Sequence, residues 1–193
     1  LLLLAFYLVD ADRPILGSVL FAVTALTKMQ ALYFTPVLFV VLLYRHKLEK
    51  ALLGVLAALA TGVAAFVPFI IGSAGARGWE ALLTPFEVYF GGLGKYPYVA
   101  LNTYNLYGIG GHPDAALGFD VGGFTYNHLS PLLMLAVLAL TVFLLWRGVR
   151  ENGLWLGCFV LMQGIFMLTT RMHERYQMAV LPFALVLYAY TGR

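Results

Sequence analysis

Long apolar runs with short polar breaks are the feature that most constrains this fold. The run 51–71 is a full-length span, because the hydrocarbon core of a bilayer requires ~20 apolar helical residues. Further apolar runs cover 1–9, 15–27, 31–44, 130–146, 154–168 and 178–190. Only 11% of the residues are charged, against about 25% in soluble domains. We therefore predict an all-α, polytopic transmembrane helical bundle, multi-pass in the cell membrane, whose immediate partner is the lipid bilayer.

Lysine and arginine in short loops orient this predicted bundle. Basic residues cluster at 45–50 and at 147–150, and such loops lie on the cytoplasmic side. Two crossings separate them, so the segment 72–129 between them is expected to be extracytoplasmic or interfacial. The same counting places 28–30 and 169–177 outside and residues 10–13 inside. Three polar elements should therefore meet at the extracytoplasmic face.

The segment 169–177, reading TTRMHERYQ, concentrates charge between two apolar runs. Each Arg at the centre of a membrane helix costs about 2.5–3.5 kcal/mol, so Arg171, His173, Glu174 and Arg175 indicate a functional site. Helical spacing would place Arg171 beside Glu174 and Arg175, and His173 beside Gln177. The arginines would then hold an anion while Glu174 orients them. The alternative is an Arg171–Glu174 ion pair that only closes a turn.

Residues 15–44 are too long for one crossing. A single helix would measure about 45 Å, more than the ~30 Å hydrocarbon core. A turn near residues 27–30 would divide it into two shorter helices, with Lys28 at the bend. Lys28 and Gln30 could face a polar cavity and contact an anionic group. Alternatively, Lys28 extends to the membrane interface as an anchor.

The segment 72–129 has unusual aromatic content, particularly in 84–107. Tyr and Trp favour the water–lipid boundary, so we expect a re-entrant or interfacial cover over a lipid-linked polar head group. Lys95 would meet phosphate, and Asn102 and Asn105 would hydrogen-bond hydroxyls. The alternative is a plain interfacial belt.

Other candidate sites find little support in the sequence. His112, Asp114, Asp120 and His128 are too scattered for metal ligation, and we predict no metal site and no cofactor, with a divalent metal left open. Asp10 and Asp12 fit ordinary helix-start chemistry. The net charge of +3 suits basic cytoplasmic loops better than a nucleic-acid surface.

Three motifs resemble a known family. The stretch LTKMQALYFTP at 26–36 resembles the (F/T)-K-x-Q-A-L segment of GT-C fold glycosyltransferases. MHERY at 172–176, followed by Leu181-Pro182, resembles H-E-(K/R) of the dolichyl-phosphate-glucose glucosyltransferases, and more closely H-E-R-Y-L-x-P of bacterial relatives of the GPI-anchor mannosyltransferases. GKYPY at 94–98, with Asn102 and Asn105-Leu106, is similar to a loop of those bacterial relatives.

The resemblance implies an inverting hexosyltransferase, of mannose or glucose type, that uses a polyprenyl-phosphate-linked donor at the extracytoplasmic face. The family's general base is an Asp in the first extracytoplasmic loop. No residue here matches it, so the catalytic residue is unknown, and we expect 1–193 to be a single membrane domain lacking its N-terminal part. Gln177 departs from the family's Leu. The expected substrate-binding residues are Lys28, Gln30, Lys95, Asn102, Asn105, Arg171, His173, Glu174 and Arg175. A transporter or flippase of lipid-linked sugar is the alternative, and would favour paired broken helices.

Overall fold

A computed structural model of the chain describes residues 1–91, 99–101, 103–109, 120–121, 123–148 and 153–192. Nearly all of these residues are helical, which confirms the all-α class. Two helical stretches, Leu48–Gly75 and Tyr126–Gly148, are long and apolar enough to cross a membrane. The other crossings of the polytopic bundle stay predictions.

The chain forms two compact units, and the single membrane domain stays a prediction. The first unit comprises Leu1–Leu38 and Leu42–Lys95, and the second comprises Phe39–Val41 and Tyr96–Arg193. Helices of the first unit are α1 (Leu2–Asp10), α2 (Pro14–Thr27), a 3-10 helix (Met29–Phe34), α3 (Thr35–Arg45, whose residues 39–41 group with the second unit), α4 (Leu48–Arg77), a second 3-10 helix (Gly78–Leu83) and α5 (Thr84–Phe90).

Small residues let the helices of the first unit pack closely. A Cβ at Gly17 would lie 2.5 Å from Cγ2 of Val9, and one at Gly54 would lie 2.8 Å from Oγ of Ser18. A larger side chain at Gly17 would also lie 2.7 Å from the Ala5 carbonyl oxygen and push α2 away from α1, whereas one at Gly54 would displace the Ser18 hydroxyl. The Phe6 ring fills the core beside α2, with its centroid 6.1 Å from that of Phe21.

Charged residues join the ends of three helices in the first unit. Arg45 forms an ion pair with Asp10, while Asp12 contacts His46 Nδ1 and Lys50 Nζ, each at 3.1 Å. The hydrogen bond from Lys50 is the main cause that lowers the pKa of Asp12. Residues 10–13 and 45–50, both expected on the inside, thus meet at one end of this unit. The carboxylates of Asp10 and Asp12 serve as ion-pair partners.

The second unit is built on an antiparallel helix pair. A Cβ at Gly164 of α8 would lie 2.6 Å from Cγ1 of Val137 on α7, and one at Gly157 would lie 2.8 Å from Leu145. These two glycines are what allow α7 and α8 to pack so closely. The elements are β1 (Ala100–Leu101), α6 (Leu106–Ile109), β2 (Asp120–Val121), β3 (Phe124–Thr125), α7 (Tyr126–Gly148), α8 (Gly153–Leu168), β4 (Met172–His173), a 3-10 helix (Glu174–Ala179) and α9 (Val180–Thr191).

Candidate functional site

The predicted break between two short helices lies at Lys28. The last α-helical hydrogen bond of α2 runs from the Lys28 N–H to the Thr24 carbonyl, at 2.9 Å. The Lys28 backbone is then extended, with φ −150° and ψ 111°, and the chain re-enters helix as a 3-10 turn from Met29. Lys28 is exposed and Gln30 is half-buried. The bend therefore presents Lys28 at the end of α2, as the length of the apolar run requires.

The start of the aromatic segment folds into an elbow, which we define as residues 78–90. Gly78 has φ +58° and ends α4, a conformation that glycine adopts without the steric cost a Cβ would bring. Behind it, the Arg77 guanidinium donates two hydrogen bonds to the Glu87 carboxylate, at 2.6 and 2.9 Å. This ion pair raises the pKa of Arg77 and lowers that of Glu87. It fastens α5 to the end of α4.

The elbow also reaches the end of α2. The Tyr89 hydroxyl donates to the Ala25 carbonyl, three residues before Lys28. The elbow also carries exposed apolar rings, with Trp79 75% exposed and Phe86 62% exposed. Two of the three polar elements that topology placed on one face, 28–30 and the beginning of 72–129, are therefore neighbours in the first unit.

The charged turn, defined as residues 169–177, has an unexpected backbone. Arg171 has φ +61°, and its N–H donates to the Val99 carbonyl at 2.7 Å. Met172–His173 then pairs in parallel with Ala100–Leu101. Helix begins only at Glu174, so the prediction that helical spacing aligns Arg171 with Glu174 and Arg175 is wrong. The same holds for His173 and Gln177, because His173 lies in the strand before the helix.

Three ionisable side chains of the charged turn face outward. Arg171, Glu174 and Arg175 are exposed. The Arg175 guanidinium carbon lies 5.8 Å from the centroid of the Tyr176 ring, and the His173 ring packs edge-on against the same ring at 5.6 Å. Tyr176, which the sequence argument did not select, therefore joins His173 and Arg175 into one aromatic and cationic group.

Buried polar side chains hold this turn against the segment 99–109. The Thr103 hydroxyl donates to the Met172 carbonyl at 2.7 Å. Asn105 is 0% exposed; its Nδ2 donates to the carbonyls of Phe166 and Thr169, both at 3.3 Å. Its Oδ1 accepts the N–H groups of residues 107 and 108, at 3.2 and 3.1 Å. Asn105 was expected to bind sugar hydroxyls, and that expectation is corrected because its polar atoms are buried and bonded to backbone.

Two further residues that the sequence argument missed complete the support. The Tyr107 hydroxyl donates to the Leu168 carbonyl at 3.2 Å. Ser130, near the start of α7, accepts the Thr170 N–H at 3.0 Å. Their sequence signal is weak, because Tyr107 is one of many tyrosines in the aromatic stretch 84–107 and Ser130 is an ordinary polar residue at the start of an apolar run. Asn105 and Tyr107 thus satisfy carbonyls at the end of α8 that a helix cannot bond internally, while Ser130 satisfies an N–H of the charged turn.

The predicted site residues divide between the two units. Lys28 and Gln30 belong to the first, and Asn105 and the charged turn to the second, so a site shared by all of them stays a prediction. Lys95 and Asn102 lie outside the described residues. Within the described ranges, no group of three or more His, Cys, Asp or Glu side chains could hold a metal ion.

No protein-family model, curated protein or solved structure matches this chain. The functional proposal therefore rests on the three sequence motifs and on the geometry of two features, the break at Lys28 and the charged turn.

Proposed function

We propose that this chain belongs to a polytopic membrane hexosyltransferase. It takes a mannose- or glucose-type sugar from a polyprenyl-phosphate carrier and transfers it to an acceptor at the extracytoplasmic face. The observation that carries the proposal is the construction of the charged turn. Exposed arginines stand on a backbone that hydrogen bonds with Thr103, Asn105 and Ser130 fix in place.

The donor's chemistry matches what these residues offer. A polyprenyl-phosphate sugar has an anionic head and an apolar tail, so it requires cations beside an oily surface. Arg171 and Arg175 supply planar guanidinium groups, which bind phosphate oxygens in pairs. Lys28 and Lys95 are the further candidate cations, and Gln30 and Asn102 remain candidate hydrogen-bonding partners of the head group.

The reaction is a single displacement with inversion. The acceptor hydroxyl oxygen bonds to the anomeric carbon while the bond from that carbon to the phosphate oxygen breaks. The hydroxyl proton passes to a carboxylate base, and polyprenyl phosphate leaves with the electron pair. Negative charge grows on the leaving phosphate, so fixed cations stabilise the transition state more than the ground state.

A strained backbone at Arg171 supports a functional role for the turn. A non-glycine residue with positive φ costs of order 1–3 kcal/mol and persists only where the surroundings hold it. Here the Val99 carbonyl and the β1–β4 pair hold it. A turn with no task could carry Gly or Asn at that position at lower cost.

The test is sugar transfer by the full-length protein in lipid nanodiscs. Polyprenyl-phosphate mannose and glucose are supplied with candidate acceptor glycans, and product is followed by mass spectrometry. We expect Arg175→Ala and Lys28→Ala to lose about 100-fold in rate. Arg147→Ala is the matched control, since Arg147 lies at the C-terminal end of α7 with its guanidinium over the Phe143 ring. Full activity in both site variants would refute the assignment.

The same preparation tests the alternative of a transporter or flippase. Such a protein would move the labelled donor across the bilayer of a vesicle without forming any covalent product. Donor translocation with no transferred sugar, for every acceptor tried, would replace the transferase proposal.

A further inference from the structure

Tyr89, near the end of the elbow, forms a hydrogen bond with a backbone carbonyl near the end of α2. The Tyr89 hydroxyl donates to the Ala25 carbonyl. In an uninterrupted α-helix this carbonyl would accept the N–H of Met29, four residues on. The extended backbone of Lys28 ends the helix before Met29 can reach it. Tyr89 therefore satisfies a carbonyl that the break leaves without its helical donor.

Ring contacts and a nearby ion pair hold the Tyr89 side chain in the position from which it donates to the Ala25 carbonyl. Its ring packs edge-on against Phe66 of α4, with centroids 6.4 Å apart, and against Phe90 at 5.3 Å. The Arg77–Glu87 ion pair fixes the preceding turn of α5. A tyrosine hydroxyl is protonated at neutral pH and can donate, and burial raises the pKa of Tyr89 further.

We infer that Tyr89 is a positioning residue that keeps the α2 break open and so orients Lys28 toward the phosphate of the lipid-linked donor. The inference relies on the proposed function for the identity of that ligand. Its physical basis is that the break leaves the Ala25 carbonyl without its helical hydrogen bond and the Tyr89 hydroxyl supplies a substitute. Without the Tyr89 hydroxyl, the Ala25 carbonyl gains most by accepting the Met29 N–H, which extends α2 by a residue and moves Lys28 onto the helix surface.

The test is a double-mutant cycle in the full-length protein. Tyr89→Phe keeps the ring contacts and removes only the hydroxyl. We expect kcat/KM for polyprenyl-phosphate hexose to fall up to about fivefold, the factor that corresponds to one net hydrogen bond. Added to Lys28→Ala, the same change should cause no further loss, because Tyr89 acts through Lys28. Tyr7→Phe, on an exposed ring of α1, is the control and should leave kcat/KM unchanged.

A second measurement needs no activity. Hydrogen–deuterium exchange at the Met29 amide should slow in Tyr89→Phe and stay unchanged in Tyr7→Phe, because only the first variant lets Met29 bond to Ala25. If the wild type transfers no hexose, the proposed function fails while slower exchange still supports the link between Tyr89 and the break. Unchanged exchange at Met29, or an equal loss of kcat/KM with and without Lys28, would overturn the inference.

Discussion

Replacing Asn105 with alanine tests whether this residue builds the charged turn or contacts a ligand. Asn105 is fully buried, and its amide forms hydrogen bonds with two carbonyls at the end of α8 and with two N–H groups. Each buried group left without a partner costs about 1–3 kcal/mol. A water that enters the vacated space can recover part of this. We therefore expect Asn105→Ala to lower the free energy of unfolding by about 2–4 kcal/mol.

The assay is thermal unfolding of the purified protein, followed by circular dichroism. A loss of that size corresponds to a Tm roughly 5–15 °C lower for a chain of this length. Asn127→Ala, an exposed asparagine near the start of α7, is the control and should unfold at the wild-type temperature. Asn105→Asp keeps the acceptor oxygen but replaces the Nδ2 donor with an oxygen that faces two carbonyls, so it should be at least as unstable as Asn105→Ala at neutral pH. A wild-type Tm in Asn105→Ala combined with weaker donor binding would refute the structural role and restore a ligand contact.

Three further outcomes follow from the backbone, the elbow and the ion pairs. Arg171→Gly should leave the free energy of unfolding unchanged or raise it by up to about 1 kcal/mol, because glycine tolerates positive φ. The same variant should bind the donor more weakly. A lower free energy of unfolding would contradict the account of the Arg171 backbone. Brominated lipids should quench the fluorescence of the exposed Trp79 and spare the buried Trp155 in single-tryptophan variants, and no quenching of Trp79 would place the elbow away from the membrane interface. The hydrogen bond from Lys50 lowers the pKa of Asp12. The Asp12–Lys50 pair therefore stabilises the fold above about pH 4, and this stabilisation is lost as the pH falls below that value. In an unfolding titration with acid, Asp12→Asn should lack this loss of stability.

The break in the run 15–44 and the start of α2 followed from local chemistry and were therefore predictable. The run 15–44 is too long for one crossing, and the break falls at Lys28, where the polar residues interrupt it. Pro14 lies in the first turn of α2, where a missing N–H costs nothing. The pairing of residues 10–13 with 45–50 also agrees with the count of crossings, which put both segments on the same side.

Geometry of the charged turn could not be predicted, because it depends on a distant segment. Helical spacing was the natural assumption for Arg171–Arg175, yet the pairing of Met172–His173 with Ala100–Leu101 draws this stretch out of the helix. Nothing in the sequence of residues 169–177 indicates that they pair with residues 100–101. Asn105 was misassigned for the same reason. From sequence, a polar residue in an aromatic segment is available to bind a ligand, and only the structure shows that Asn105 caps the end of α8.

Phosphate recognition by the charged turn is the central claim, and a binding comparison tests it most directly. Full-length protein in nanodiscs is titrated with polyprenyl phosphate and with the matching polyprenol, which has the same tail and no phosphate. We predict tighter binding of the phosphate, and a preference that disappears in Arg175→Ala but not in Arg147→Ala. Equal affinity for both lipids in the wild-type protein would contradict the account.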